Sequence, residues 1–510
     1  MTIRFTKSWN GYYEGQIVSN PAGGNTEAQL IALGYAVSDL DGPDNSFELA
    51  KFATDSSGNV TGLVGPGGVS FGQSNVRSSK ILSRCITGRC KDLALTDATY
   101  PANSNTNGLT LHYRVALADH FDSIRIGIPN LSTSTQAGVV VGVSASNTLG
   151  AWSGSAPSSN ATGAAVVAAP APSETPGTSG ETFYKARFGG ALSATLPVAV
   201  DATNLVPSYT WTDWNPITSI ARTDGGTLPL VDIRLFYPAG TVPSLAYNGS
   251  TYTAWAVWGR DDIVTGGKAY RVFAQAVEAV ATPANFTSAT TVAYHVPIII
   301  QYKSRNGGVS IARFGDSIWD GGTSTYQNNG FAWQAVKDLA ASGYVLEDAN
   351  FSVPGQTTIN LGQIAGQLMP YIKPTVCAFE SASVNNYGAS LGSRTQQHGR
   401  GSLGTFLALC AEHRASPMTA NFLPVTNAAK AYGATDSQRV TLNTFLSAQS
   451  LVDKYTYVDF GTVMDGVVTS GQVEPAVAYI TGDGIHPNDA GHTAMLPLYK
   501  AGLVAAMRKA

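Results

Sequence analysis

The chain has 510 residues, which is too long for one ordinary hydrophobic core, so two or three domains are expected. A hydrophobic content of 44% with only 13% charged residues, 54 glycines and 25 prolines favours a β-rich architecture with many turns over a helical bundle. The formal net charge of -3, without a long basic run, argues against a nucleic-acid partner.

The amino-terminal residues carry no visible export signal, because residues 1–7 contain neither an apolar segment nor a small-residue cleavage site. The most apolar short run, residues 295–300, is far too short to cross a bilayer. We therefore expect synthesis in the cytoplasm and no membrane insertion. The four cysteines fit neither a disulfide framework nor a zinc pattern, and Cys377 and Cys410 are predicted to be core residues.

Residues 1–45 are predicted to form a small separate module, in which a strand-like start precedes a helix-like segment that Gly34 can cap. The segment resembles small modules encoded among bacteriophage structural proteins, which combine a hairpin ending in Gly-x-Ile-Val with a helix carrying a Glu-Ala pair followed by a Leu-Ile pair. The residues that match are Gly15, Ile17, Val18, Glu27, Ala28, Leu30, Ile31, Gly34 and Ala36. This resemblance implies virion partners that bind through the module.

Residues 46–304 are predicted to form a β-rich region of the sandwich or jelly-roll type. Short strand-like runs alternate there with turn residues, at 109–116, 123–128, 139–143, 230–237, 252–258, 270–277 and 291–300. Between residues 153 and 180 the sequence turns to Ala, Ser, Pro, Thr and Gly, which predicts a long, flexible, exposed loop.

Five of the eight tryptophans fall in this β-rich region, namely Trp152, Trp211, Trp214, Trp255 and Trp258. Aromatic rings on a sandwich can stack against sugar rings, which would suit a carbohydrate substrate. The same rings can instead fill the core or pack between domains, and the sequence leaves both alternatives open.

Over residues 305–510 the pattern changes to alternating strands and amphipathic helices. This alternation predicts a parallel sheet that is covered by helices on both faces. Ligands bind at the carboxyl ends of such strands, and Ser317, Gly355 and Asn385 each follow a strand-like run. The strand-like runs are 309–314, 344–351, 375–379, 417–424 and 455–460, and the helix-like runs are 331–341, 403–413, 438–448 and 489–507.

Two short segments of this region carry the residue types of nucleophilic catalysis. Gly315-Asp316-Ser317 places a serine on a tight turn after a strand, and Asp483 lies three residues before His486. A serine hydroxyl attacks an acyl carbon only when a base takes its proton, and a carboxylate beside the imidazole fixes the tautomer of the ring. We therefore predict Ser317 as the nucleophile, His486 as the base and Asp483 as the residue that orients the base.

These segments resemble the sequence blocks of the SGNH, or GDSL-type, hydrolase family of esterases and lipases. The family pattern has four blocks in a fixed order. They are matched here by Gly315-Asp316-Ser317, by Gly355, by Asn385, and by Asp483 with His486.

The resemblance implies a flavodoxin-like α/β/α sandwich and catalysis without a cofactor or a metal. It also implies an oxyanion hole formed by the backbone N–H groups of Ser317 and Gly355 and the side-chain amide of Asn385. The third block departs from the family pattern Gly-x-Asn-Asp, because Ser383 replaces the glycine and Asn386 replaces the aspartate.

The sequence thus predicts a serine carboxylic-ester hydrolase. Our first hypothesis is an O-acetyl esterase that acts on a bacterial surface polysaccharide as a phage or prophage virion component, since the β-rich region and the phage-like N-terminus suit that substrate. A general esterase or lipase is the alternative within the same class. A receptor-binding or structural virion protein with a degenerate hydrolase domain is the alternative that the altered third block favours. Each virion role is compatible with a homo-oligomer.

Overall fold

The computed structural model describes the greater part of the chain from residue 79 onwards. The described residues are 79–85, 91–92, 94–96, 100, 102–146, 172–173, 183–223, 225–245, 270–280, 290–291, 295–323, 330–388 and 390–510, together with six short strands before residue 75. Some sequence predictions lie outside the described residues: the helix of the N-terminal module, the strand at 252–258, the loop at 153–180 except for two residues, and the residues Trp152, Trp255 and Trp258. Those two residues, Pro172 and Ser173, form a short strand where the sequence predicts a loop.

The chain divides into two compact units, residues 1–74 and 75–510. The first unit contains two small antiparallel sheets of three strands each. Their strands are Thr2–Phe5, Ile17–Ser19 and Ala36–Ser38 in one sheet, and Lys51–Thr54, Val60–Val64 and Ser70–Phe71 in the other.

The second unit begins with the two antiparallel sheets of a β-sandwich, as the sequence predicts. Apolar side chains of both sheets, such as Leu111 and Tyr113 from one and Ile126 and Ile300 from the other, form a single core. The first sheet contains Ser79–Arg84, Phe121–Asn130, Ser208–Trp211 and the beginning of Ile299–Phe314. The second contains Pro172–Ser173, Phe183–Lys185, Gln136–Ser146, Leu230–Tyr237, Leu109–Ala116, Tyr270–Gln275 and Thr290–Thr291 in that order, with Ala194–Leu196 also paired to Gln136–Ser146.

One strand, Ile299–Phe314, belongs to both this sandwich and the sheet that follows, and we call it the shared strand. Its first half pairs antiparallel with two sandwich strands, and its second half pairs parallel with Leu346–Asn350 and Val376–Glu380. The predicted boundary between residues 304 and 305 falls inside it. The sequence predicts two separate strand-like runs here, at 291–300 and 309–314.

The structure resolves this stretch as a bulge within a continuous strand, with a register shift between Lys303 and Gly308. Gly307 takes a positive φ of 81°, which glycine adopts without steric cost. Asp119 holds the bulge, because its carboxylate accepts hydrogen bonds from the backbone and side-chain nitrogens of Asn306, both at 2.8 Å.

The carboxyl-terminal part is an α/β/α domain around five parallel strands. Their spatial order is Leu346–Asn350, the shared strand, Val376–Glu380, Ser416–Ala420 and Thr456–Val458, which is the flavodoxin-like order 2-1-3-4-5. The predicted α/β/α sandwich is therefore confirmed. An exposed hairpin of Asp465–Thr469 and Gln472–Pro475 follows the last strand.

Helices cover both faces of this sheet. One face packs against Thr358–Ile372, Ser393–Glu412 and Ser437–Asp453, and the other packs against Phe331–Ala341 and Asp489–Lys509. Cys377 and Cys410 are fully buried in the core between the sheet and the first of these two helix layers, which confirms their predicted position. In the part of the chain that the structure describes, each helix is too short or too polar to cross a membrane.

Candidate active site

The shared strand ends at Phe314 and delivers Ser317 on a turn at the carboxyl edge of the parallel sheet. The turn is fixed from both sides. The backbone N–H of Val353 donates to the carbonyl of Gly315 at 2.8 Å, and the N–H of Gly322 donates to the carbonyl of Ser317 at 2.6 Å. Ser317 itself remains partly exposed. The nucleophile candidate therefore sits on a rigid turn that is open to solvent.

The three residues of the predicted triad come together. Ser317 Oγ lies 2.7 Å from His486 Nε2, and His486 Nδ1 lies 2.6 Å from Asp483 Oδ2. An ionised carboxylate can only accept, so the ring carries its proton on Nδ1 and presents the lone pair of Nε2 to the serine hydroxyl. This is the tautomer that a general base for Ser317 needs.

Asp483 is held in its ionised form by its own loop. Its Oδ1 accepts hydrogen bonds from Thr481 Oγ1 at 2.6 Å, from the N–H of Ile485 at 2.8 Å and from the N–H of His486 at 3.0 Å. Partial burial alone raises the pKa of this carboxyl, but the hydrogen bonds outweigh burial and hold the pKa well below its usual range. Asp483 is therefore ionised beside the imidazole at neutral pH.

The predicted oxyanion donors lie on two neighbouring loops. Gly355 is exposed and has a positive φ of 78°, so a glycine suits this turn. In the residues that the structure describes, the N–H groups of Ser317 and Gly355 donate to no other protein group. The Asn385 amide donates to the carbonyl of Gln356 at 3.2 Å and lies 3.4 Å from Asp316 Oδ2. Two backbone donors are therefore available to a ligand, beside an amide that the protein orients.

Two buried carboxyl groups, Asp316 and Glu380, lie behind the serine turn, and the sequence prediction assigns a role to neither. The N–H of Asp316 donates to Glu380 Oε2 at 2.9 Å, and Asp316 Oδ1 accepts from the N–H of Ile318 at 2.8 Å. Burial raises the pKa of both groups, and the neighbouring Asp316 raises that of Glu380 further. The sequence feature that could have marked Glu380 is its position at the end of an apolar strand.

The two residues that depart from the family pattern of the third block are both hydrogen-bonded. Ser383 Oγ donates to Asp316 Oδ2 at 2.6 Å and accepts from the N–H of Asn385 at 3.1 Å. Asn386 Oδ1 accepts from the N–H of Thr358 at 3.2 Å, in the first turn of a helix. Ser383 therefore ties the serine turn to the loop of Asn385, an interaction that a glycine could not make.

Trp211 and Trp214 are the two of the five tryptophans named in the sequence analysis that the structure describes, and both pack against protein groups. Trp211 stacks on Tyr371 with ring centroids 5.1 Å apart, and the Arg125 guanidinium lies 4.9 Å from the Trp211 ring and 4.7 Å from the Trp214 ring. Lys303 lies 5.1 Å from the Trp214 ring. These contacts favour the packing alternative over the sugar-stacking one for both residues. Within the described ranges, no three His, Cys, Asp or Glu side chains are grouped so as to hold a metal ion.

A parallel α/β/α sheet with a serine, a histidine and an aspartate joined at its carboxyl edge defines a serine hydrolase of the acyl-transfer class. Residues 314–494 match the model of the GDSL-like lipase/acylhydrolase family. The carboxyl-terminal domain of this chain is accordingly a GDSL-like acylhydrolase domain, as the sequence blocks predict.

Similar solved structures include a GDSL-like lipase from Bacteroides thetaiotaomicron, with 17% identity, coverage of 38% of this chain and 88% of that chain, and a TM-score of 0.30. They also include the psychrotrophic esterase EstA from a Pseudoalteromonas species, with 14% identity, coverage of 38% and 96%, and a TM-score of 0.31. Comparison with curated proteins found no match.

Proposed function

We propose that the protein is a serine carboxylic-ester hydrolase in which Ser317 is the nucleophile, His486 the general base and Asp483 the residue that orients it. The observation that carries the proposal is the unbroken hydrogen-bonded path from Ser317 Oγ through the imidazole to Asp483. The ionised state of Asp483 supports it, because a charged carboxylate also stabilises the imidazolium that forms during attack.

In the first step, Ser317 Oγ attacks the carbonyl carbon of the ester while His486 Nε2 takes the hydroxyl proton. The carbonyl oxygen becomes an oxyanion, which the N–H groups of Ser317 and Gly355 and the amide of Asn385 stabilise. Each such donor is worth about 10²-fold to 10³-fold in rate. The tetrahedral adduct expels the alcohol, which takes its proton from His486, and leaves an acyl group on Ser317. Water then repeats the sequence, releasing the carboxylic acid and restoring the serine.

For the substrate, we propose O-acetyl groups on a bacterial surface polysaccharide. Gly355, Asn385 and Asp483 are exposed, and the side chain of Asp483 retains 43% of its accessible surface. An open site of this kind suits a short acyl group on a bulky polymer better than a long chain, which needs a deep apolar channel. The resemblance of the N-terminal module to phage structural modules supports a role as a virion component that modifies host glycans, in a homo-oligomer.

The test compares wild-type protein with Ser317→Ala on p-nitrophenyl acetate, butyrate and octanoate. We expect hydrolysis that favours acetate, and its loss in the variant by about 10⁴-fold or more. Activity that survives in Ser317→Ala would overturn the catalytic assignment. Preference for octanoate would favour a lipase, and inactivity on every ester would favour a receptor-binding protein. Acetate release from a panel of acetylated bacterial polysaccharides then tests the glycan.

A further inference from the structure

The amide of Asn385 needs an external support to act as an oxyanion donor. Asn385 lies exposed on the short 3₁₀ turn Val384–Asn386, so its own packing fixes its position weakly. Its Nδ2 donates to the backbone carbonyl of Gln356 at 3.2 Å. Gln356 directly follows Gly355, whose backbone N–H is the other proposed oxyanion donor on these loops. The position of Gln356 therefore affects both the Gly355 N–H and the Asn385 amide.

Gln356 is itself held by two side-chain hydrogen bonds in a buried position, at 3% exposure. Its Oε1 accepts from Asn360 Nδ2 at 2.8 Å, within the hydrolase domain. Its Nε2 donates to the backbone carbonyl of Asn204 at 2.6 Å, and Asn204 belongs to the β-sandwich region. The second bond crosses from one region of the unit to the other.

The segment that supplies the Asn204 carbonyl is a constrained turn, residues 201–206. Asp201 accepts from the backbone and the side-chain nitrogens of Asn204 at 3.0 and 2.7 Å, and the backbones of Asp201 and Val206 pair in both directions. Leu205 adopts a positive φ of 55°, a conformation that non-glycine residues take only when their surroundings impose it. Val206 is fully buried in the core of the hydrolase domain. The turn is therefore anchored at both of its ends.

From these contacts we infer that Gln356 is a positioning residue through which the sandwich turn 201–206 holds the Asn385 amide in the oxyanion hole. The inference rests on the proposed function and extends it: the sandwich is a working part of the hydrolase site. Gln356 acts through Asn385 and need not touch the substrate.

The first test replaces Gln356 by leucine, which has a similar size and makes no hydrogen bond. We expect kcat on p-nitrophenyl acetate to fall by about 10-fold to 100-fold with little change in KM, because a displaced donor weakens the transition state more than the ground state. Active sites are counted with a fluorophosphonate, so that loss of folded enzyme does not count as loss of kcat. Gln363→Leu, at an exposed position on the helix Thr358–Ile372, is the matched control and should retain full activity.

The decisive measurement is a double-mutant cycle with Asn385→Ala. If Gln356 acts through Asn385, Gln356→Leu should lower kcat by less than about threefold once the amide is gone. The inference is wrong if Gln356→Leu lowers kcat by the same factor in the wild type and in Asn385→Ala. It is also wrong if Gln356→Leu lowers kcat in neither of them.

Asp201→Ala, on an exposed turn, tests the same inference independently if Gln356→Leu does not fold. It removes the two hydrogen bonds that fix Asn204, and kcat should fall by about threefold to 10-fold. An unchanged kcat in Asp201→Ala would contradict the inference that the turn 201–206 of the sandwich holds the Asn385 amide through Gln356. A wild type that neither hydrolyses esters nor reacts with the fluorophosphonate overturns the proposed function as a whole, which is a separate result from a failed cycle.

Discussion

Buried charged groups are arranged differently at the junction with the sandwich and beside Ser317. At the junction with the sandwich, Glu347 pairs with Arg84 at 2.9 Å, and its other oxygen accepts from Tyr302 and from the N–H of Ala118. Near Ser317, the N–H of Asp316 donates to Glu380 Oε2 at 2.9 Å, and the neighbouring Asp316 carboxyl raises the pKa of Glu380. Paired charges satisfy each other and favour one fold, whereas neighbouring like carboxyls cost stability and are typical of functional sites. We therefore expect substitutions of groups that hold the triad or the proposed oxyanion donors to change rates, and substitutions of buried groups that touch neither to change stability.

The largest effect on rate, after loss of the nucleophile itself, is expected from Asp483→Asn. An amide can donate to His486 Nδ1 and so stabilise the tautomer that has no lone pair facing Ser317. We expect kcat on p-nitrophenyl acetate to fall by about 10³-fold to 10⁴-fold, with the free energy of unfolding little changed. Asp453→Asn, at an exposed helix end, is the control. A loss below 10-fold would mean that His486 does not depend on Asp483.

Ser383 sharpens the comparison, because it is the residue that departs from the family pattern and also bridges Asp316 and Asn385. Ser383→Ala and Ser383→Gly both remove the hydroxyl, and we expect each to lower kcat by about 10-fold as the Asn385 loop loosens. Steady-state kinetics with active-site titration provide the measurement. Ser144→Ala, at a buried serine of the sandwich, should leave kcat unchanged. Wild-type activity in Ser383→Gly would show that the hydroxyl is dispensable.

The triad could be predicted from sequence because its residues fall in short blocks at strand ends, and the parallel topology brings strand ends together. The helix Phe331–Ala341 was also predictable to the residue, from the spacing of its apolar side chains. The helix Thr358–Ile372 is absent from the sequence prediction although Thr357 caps it and its apolar side chains recur at helical spacing; Pro370, in its last turn, is a residue that disfavours a helix.

What sequence could not provide is the set of supports around the site. Gln356, Ser383 and Glu380 act through partners that are distant in the chain, and single residues of these types carry no spacing that would mark them. The continuity of the shared strand could not be predicted for another reason. The sequence Asn-Gly-Gly occurs both in bulges and in turns, and only the pairing of the strand on either side distinguishes them.

Within the sandwich, Tyr113→Phe should affect stability alone. The Tyr113 hydroxyl donates to the carbonyl of Val296 at 3.0 Å and accepts from its N–H at 3.1 Å, in a fully buried position. Removing it leaves the buried N–H of Val296 without this acceptor, while the Val296 carbonyl keeps its bond from the N–H of Ile298 at 2.8 Å. The expected cost is about 1–3 kcal/mol in the free energy of unfolding. Urea unfolding measures that cost. A matching fall in kcat of the folded enzyme would show that this buried contact also sets the geometry of the catalytic site.

The smallest effect concerns a group that links stability to pH near the site without taking part in the chemistry. His492 is fully buried, stacks on Phe331, and its Nε2 lies 3.3 Å from the carbonyl of Gly322. Burial lowers the pKa of His492 to about 4, although the Gly322 carbonyl and the charge of Asp489 act in the opposite direction. In the unfolded chain a histidine has a pKa of about 6.5.

Between pH 6.5 and 4 the unfolded state therefore binds more protons at this residue than the folded state, and stability falls as the pH falls. From pH 6.5 to 5.5 the contribution of His492 should amount to about 1 kcal/mol. Urea unfolding of wild type and His492→Gln at both values measures it, and the variant should lose correspondingly less stability on acidification. His413→Gln, which removes a partly exposed ring, is the matched control. Equal losses in wild type and His492→Gln would mean that His492 accepts a proton in the folded protein, and that burial does not keep the ring neutral.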